Sequence, residues 1–288
     1  MNHRFNRLIN LNKTLIKKCL KAVGIEHPKK LLKPFIKDYS YSLFNEQQII
    51  QDYINKIDGI KTWAVDIAAG DGVNYSNTYS LFKSSWAGLA IEYSSSEFAQ
   101  MANAYKGFSG VNISRCKVTP DNVIGLLKSN TIPKDFGLLS LDIDSYDYFV
   151  LEQLLKQFRP TIMCIEVNEI FPPPIKFSVK WHPDYCYQGG QLYGQSLSKL
   201  HSLAIQHKYS LAELHYNNAI YIPEELGICD PLTPEEAYKV GYLNKSDRLM
   251  KFPWNSDFEE ILTLSAQDAL TFINKRFDKY NGLFECSI

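Results

Sequence analysis

The chain is predicted to adopt an α/β fold, a doubly wound, Rossmann-like sheet of seven strands. All are parallel except one antiparallel strand near a C-terminal hairpin, and helical additions flank the sheet at both ends. Two observations carry this expectation. Five short apolar runs ("TWAVDIA", "WAGLAIE", "GVNISRCKV", "FGLLSLDI" and "PTIMCIEV") are separated by helix-like segments near 75–83, 95–105, 120–129 and 146–158. That alternation argues for βαβ units with both sheet faces covered. Further on, "YSLAELHY" and "AIYIP" flank Asn217-Asn218, which reads as a β-hairpin because asparagine tolerates positive φ.

Taken in order, the first 40 residues form a leader that is basic up to Lys37: Arg4, Arg7, Lys13, Lys17, Lys18, Lys21, Lys29, Lys30, Lys33 and Lys37 stand against Glu26 alone. Leu8, Ile9, Leu11, Leu15, Ile16, Leu20 and Val23 recur at helical spacing. Several roles stay open for it: contact with an acidic membrane surface, an anionic partner, an organellar presequence, or an amphipathic helix with solvated lysines. Residues 41–57 read as a helix closed by Asp58-Gly59, and 41–225 as the α/β domain. Within that domain, 168–195 lacks any period and is rich in Pro, Gly and aromatic residues, as binding loops and lids often are. Ser196 is positioned to cap the next helix. The extension 226–288 reads as helical, with "TPEEAY" and "SAQDALTFINKRF" as capped starts.

Composition sets limits. The 288 residues carry 31 basic and 31 acidic side chains, so no global field argues for nucleic acid. No apolar run approaches the ~20 residues of a membrane span. The six cysteines (19, 116, 164, 186, 229, 286) show no CxxC pair or metal spacing, which suits free thiols in a reducing compartment and a cytoplasmic location.

The stretch "VDIAAGDGVNYS" ends a strand at Asp66 and turns at once on Gly70 and Gly72. Glycines there let backbone amides approach a ligand, and a helix start favours anionic groups. Glu92 ends the second strand, where a carboxylate can accept both hydroxyls of a ribose. A nucleoside-bearing cofactor is therefore expected. An NAD fingerprint would place its third small residue at Tyr75, which would obstruct helix–strand packing.

The pattern D-x-A-x-G-x-G from Asp66 resembles motif I of class I S-adenosylmethionine-dependent methyltransferases, with Ala68 in place of the first glycine. The terminal hairpin agrees with that family. The resemblance spans roughly residues 47–223. It implies a cofactor set of Asp66, Ala68, Gly70, Asp71, Gly72, Glu92, Tyr93, Val118 and Asp142. Gly70 and Gly72 would flank the methionine moiety, Glu92 would take the ribose, and "CKVTPDN" would lie by the adenine.

Strand four ends in Asp142, Asp144 and Asp147, and strand five in Glu166, Asn168 and Glu169. Carboxylates at neighbouring strand ends repel unless compensated, and hard oxygen ligands suit Mg²⁺, Mn²⁺ or Ca²⁺. This resembles metal-dependent O-methyltransferases of the catechol and macrolide-sugar types, which implies Asp142, Glu166 and Asn168 as ligands. Asp144 is then a spare ligand or general base. The other reading gives Asp142 to the cofactor and leaves Asp144 to cap a helix. His182, in "KWHPDY", is the best histidine for a base, or a loop residue without catalytic duty. A softer resemblance of residues 193–222 to bacterial methyltransferase-like proteins found among polysaccharide and natural-product genes points to a small-molecule or glycan acceptor. The expected function is S-adenosylmethionine-dependent O-methylation of a sugar or similar polar small molecule, with Mg²⁺ assistance. A catalytically inactive methyltransferase-like binding module and an NAD-dependent oxidoreductase are the alternatives.

Overall fold

The backbone of strand β1 (Trp63–Ile67) is hydrogen-bonded in parallel on both sides, to β2 (Ala87–Glu92) and to β4 (Leu138–Leu141). β3 (Val111–Arg115) flanks β2, and β5 (Ile162–Glu166) flanks β4. β7 (Tyr209–His215) and β8 (Asn218–Pro223) complete a seven-stranded sheet of order β3-β2-β1-β4-β5-β8-β7. Only β8 runs against its neighbours. This computed structural model describes residues 40–187 and 189–288; the basic leader, 1–39, lies outside them. Residues 41–288 form one compact unit. Among the described residues, no helix is long and apolar enough to cross a membrane.

Alternation along the strands separates two apolar layers. Val65, Ile67, Leu89, Ile91, Leu139, Leu141, Met163 and Ile165 face one core. It is covered by α4 (Val123–Ser129), α5 (Asp147–Leu155) and α6 (Leu197–Gln206). Ala64, Ala90, Leu138, Ile162 and Cys164 face the other, covered by α1 (Glu46–Ile54), α2 (Tyr79–Lys83) and α3 (Ser95–Tyr105). Ser196 does cap α6, its hydroxyl accepting the Lys199 amide at 3.2 Å. The hairpin turn sits one residue earlier than expected: β8 begins at Asn218, and Tyr216 takes the left-handed conformation at φ 55°.

The segment 168–195 and the C-terminal extension depart from expectation. β6 (Lys176–Val179) lies inside the segment read as irregular, and pairs antiparallel with β9 (Phe284–Ser287) at the far end of the extension read as helical. A third apolar cluster binds them: Phe171 stacks on Phe177 at 4.0 Å between centroids, and Phe177 stacks on Phe284 at 5.6 Å. α7 (Ala266–Arg276) contributes Ile273 to the same cluster. The pairing joins segments 107 residues apart, each only four residues long, so local periodicity carries no sign of it.

Candidate functional site

The sheet register assembles the site at the carboxyl ends of the strands. Ile67 pairs with Ile91, so Ala68 stands beside Glu92; Leu141 pairs with Ile165, so Asp142 stands beside Glu166. Between them opens a pocket of about 640 Å³, within the range for small-molecule and cofactor sites. Asp66, Ala68, Gly70, Glu92, Tyr93, Val118, Asp142 and Asp144 all line it.

The glycine turn is built from left-handed residues: Ala68 at φ 68°, Gly70 at 56° and Gly72 at 76°. The Ala68 and Ala69 amides both donate to the Ile91 carbonyl at 2.9 Å, pinning the turn to β2. Alanine at the left-handed position 68 costs about 1 kcal/mol that glycine would not. A Cβ on Gly70 would meet nothing within 4 Å, whereas one on Gly72 would lie 2.8 Å from Met101 and Tyr105. Gly72 is thus a packing glycine and Gly70 the open one. Asp71 turns away from the pocket wall, its Oδ1 accepting the amides of Val73 and Asn74.

Glu92 is buried and accepts the Gly70 amide at 2.9 Å and the Ser94 amide at 2.5 Å. Each carboxylate oxygen retains a second lone pair. Beneath the turn, Asp66 accepts the Thr78 hydroxyl at 2.5 Å. Burial pushes its carboxyl up to about 7, with the charges of Asp142 and Glu92 adding to the shift.

On the opposite side, one carboxylate oxygen each from Asp142, Asp144 and Glu166 lies within 4.8 Å of the other two. Asp142 is exposed at the pocket wall. Asp144 holds a left-handed φ of 56°, the kind of strained conformation that functional sites retain. It does not cap α5; the Asp147 carboxylate instead accepts the Ile143 and Ser145 amides and shapes the loop. Desolvation and the neighbouring Asp142 and Asp147 charges push Asp144 up to about 8. Glu166 is raised well above the usual carboxylate range by burial and by Asp142, which lies within hydrogen-bonding range. Glu166 Oε1 accepts the Asn217 amide at 2.8 Å, while Oε2 is buried without a partner.

Asn168 does not line the pocket, and its Oδ1, the atom a metal would take, faces the Ile170 amide at 3.4 Å. The Asn168 side-chain amide donates to the Gln191 and Tyr193 carbonyls at 2.9 Å, tying down 168–195 from inside. His182 is exposed and outside the pocket wall, its Nδ1 accepting the Asp184 amide at 3.2 Å. Tyr185 and Tyr187, which with Trp181 read in the sequence as a cluster to stack on a ring or pack the loop, line the pocket; Trp181 does not. The structure also brings in Lys117 and Tyr146, which the sequence reading did not assign, and the Tyr146 hydroxyl donates to the Val118 carbonyl at 3.0 Å. Lys117 stands two residues past β3, a strand-end position that is the one sequence signal for it.

No family model matches the chain, and no curated protein does either. Among solved structures, the N-terminal domain of EvdMO1 with SAH bound is 8% identical, covers 69% of this chain and 84% of its own, and has a TM-score of 0.44. A S-adenosylmethionine-dependent methyltransferase from Clostridium acetobutylicum is 10% identical, with 71% and 99% covered and a TM-score of 0.39. A SAM-dependent methyltransferase from Aquifex aeolicus is 13% identical, with 67% and 96% covered and a TM-score of 0.37. Likeness at that level decides nothing about activity. What the chain's own topology establishes is the fold: a Rossmann-like seven-stranded sheet in which β8 alone is reversed, as the resemblance to class I S-adenosylmethionine-dependent methyltransferases implied.

Proposed function

We propose that the protein is an S-adenosylmethionine-dependent O-methyltransferase acting on a hydroxyl of a sugar or similar polar small molecule. One observation carries the reading: a single pocket has the left-handed glycine turn and Glu92 on one wall and a raised carboxyl cluster on the other. The first wall suits an amino-acid-bearing nucleoside, with the open face of Gly70 toward the methionine moiety and Glu92 toward the ribose. The second suits removal of a proton from an acceptor.

In such a transfer the acceptor oxygen forms a bond to the methyl carbon as the carbon–sulfur bond breaks, and the electron pair leaves on sulfur. Alignment supplies most of the acceleration. The acceptor proton would pass to a carboxylate; Asp144 lines the pocket on a loop shaped by Asp147, which supports it as that carboxylate. A carboxyl near 8 is basic enough to serve around neutral pH.

Asp142 and Glu166 would hold Mg²⁺, with Asp144 as the third ligand or, where it stays free, as the base. The unpartnered Glu166 Oε2 supports the fit, since a buried carboxylate oxygen without a donor calls for a cation or a proton. When bound, the ion would lower the pKa of the acceptor hydroxyl.

Calorimetry tests the donor: S-adenosylhomocysteine is expected to bind, NAD not, and Gly70→Arg to abolish binding. Heat evolved with NAD alone would overturn the reading. Transfer of a labelled methyl group to a panel of sugars then tests the acceptor.

A further inference from the structure

Lys117 leaves the end of β3 and reaches across the mouth of the pocket to the segment 181–187. Its ammonium donates to the Pro183 carbonyl at 2.8 Å and the Tyr185 carbonyl at 3.2 Å. It also lies 5.8 Å above the Trp181 ring and 6.0 Å from that of Tyr146, which themselves pack edge to face at 4.3 Å. Among the described residues, these two are the hydrogen bonds that join 181–187 to the sheet. No described carboxylate pairs with Lys117, so its charge is directed to carbonyl oxygens and ring faces.

The same pieces line the pocket: Lys117 and Val118 from the end of β3, and Tyr185, Cys186 and Tyr187 from the returning segment. Tyr185 is anchored from beyond by its hydroxyl, which donates to the Leu192 carbonyl at 3.0 Å. The segment therefore forms a roof fastened at its far edge by Tyr185 and at its near edge by one ammonium group.

We infer that Lys117 is a positioning residue that latches 181–187 over the nucleoside half of the pocket and so sets how long the methyl donor and its demethylated product stay bound. The inference rests on the methyltransferase reading for the identity of the ligand, but the latch itself is a property of the apo chain. A charged donor holding two carbonyls weighs about a decade or more in an opening equilibrium. Opening of the roof then limits escape of the ligand.

Two measurements test it on the full chain, using Lys117→Met, which keeps an apolar stem, and Lys117→Arg, which keeps donors and charge. Hydrogen exchange of the 181–187 amides without ligand is expected to quicken about tenfold in Lys117→Met, with β1 and β4 unchanged. Stopped-flow release of S-adenosylhomocysteine is expected to quicken about tenfold in Lys117→Met, with a smaller change in association, and Lys117→Arg to recover most of the wild-type value. Unchanged exchange in Lys117→Met overturns the latch. Faster exchange with unchanged release overturns its control of residence time. A wild-type chain that binds no S-adenosylhomocysteine overturns the methyl-donor reading, while exchange still decides the latch.

Discussion

The Gly70 amide donates to Glu92 Oε2 at 2.9 Å, so the carboxylate expected to grip a ribose also holds the turn expected to cradle the donor. The two roles are mechanically joined through one side chain. Glu92→Ala strands the Gly70 and Ser94 amides and removes the ribose acceptor together. Affinity for S-adenosylhomocysteine should fall roughly 10- to 100-fold, as for a lost hydrogen bond to a charged group. Calorimetry at equal affinity would remove Glu92 from the ligand.

The two glycines of the turn should separate in their effects. Gly72→Ala drives a Cβ to 2.8 Å from Met101 and Tyr105 in a left-handed backbone, and should cost about 1–3 kcal/mol in urea unfolding. Gly70→Ala faces open space and should cost less stability while weakening the donor. Equal losses of stability would contradict this division.

Asp66 ties stability to pH. Its carboxyl is raised to about 7 in the fold and returns to the ordinary 3.8 when unfolded. The unfolded chain thus releases this proton first, so the contribution is fully present below pH 4, declines as pH rises, and is gone above about 7. The span is at most about 4 kcal/mol. Asp142, Asp144 and Glu166 act with the same sign, so the comparison with Asp66→Asn isolates one group. Denaturant titrations at pH 4 and pH 8 should show a smaller drop in the variant, and an equal drop would place the effect elsewhere.

The carboxyl cluster predicts a cation-dependent melting temperature. At pH 8, Mg²⁺ should raise it in the wild type by relieving repulsion between Asp142, Asp144 and Glu166. Glu166→Gln should be steadier without Mg²⁺ and should respond to it less. Identical melting in EDTA and in Mg²⁺ for the wild type would remove the metal from the proposal.

Phe177 sits wholly buried where β6 meets β9, between Phe171 and Phe284. Phe177→Ala should cost about 3–5 kcal/mol. Hydrogen exchange across 168–187 should quicken before that of the central strands, and uniform quickening would show that the small sheet is not a separate brace.

The fold was legible because the informative signals were local. Runs such as "LLSL" and "IMCIE" are apolar on both faces, which only a doubly covered parallel sheet demands. Glu92, Asp142 and Glu166 could be read as strand-end carboxylates from sequence alone. Asp144 could be read as a spare ligand or base beside them, but the left-handed backbone at 144 in that loop could not. The resemblance to metal-dependent O-methyltransferases implied Asn168 as a ligand, yet it does not line the pocket: its Nδ2 donates to the carbonyls of residues 191 and 193, and its Oδ1 faces the Ile170 amide at 3.4 Å. Lys117 escaped notice because a lysine after a strand is ordinary until the chain returns to meet it.

The union of β6 with β9 also orders events in time. A ribosome delivers residues 176–179 well before 284–287, which pair with them. Residues 63–166, with the glycine turn and the strand-end acids, can therefore collapse into shape during translation, while the segment that runs on from β6 waits for its partner strand to emerge. The floor of such a pocket would mature first, and its roof last.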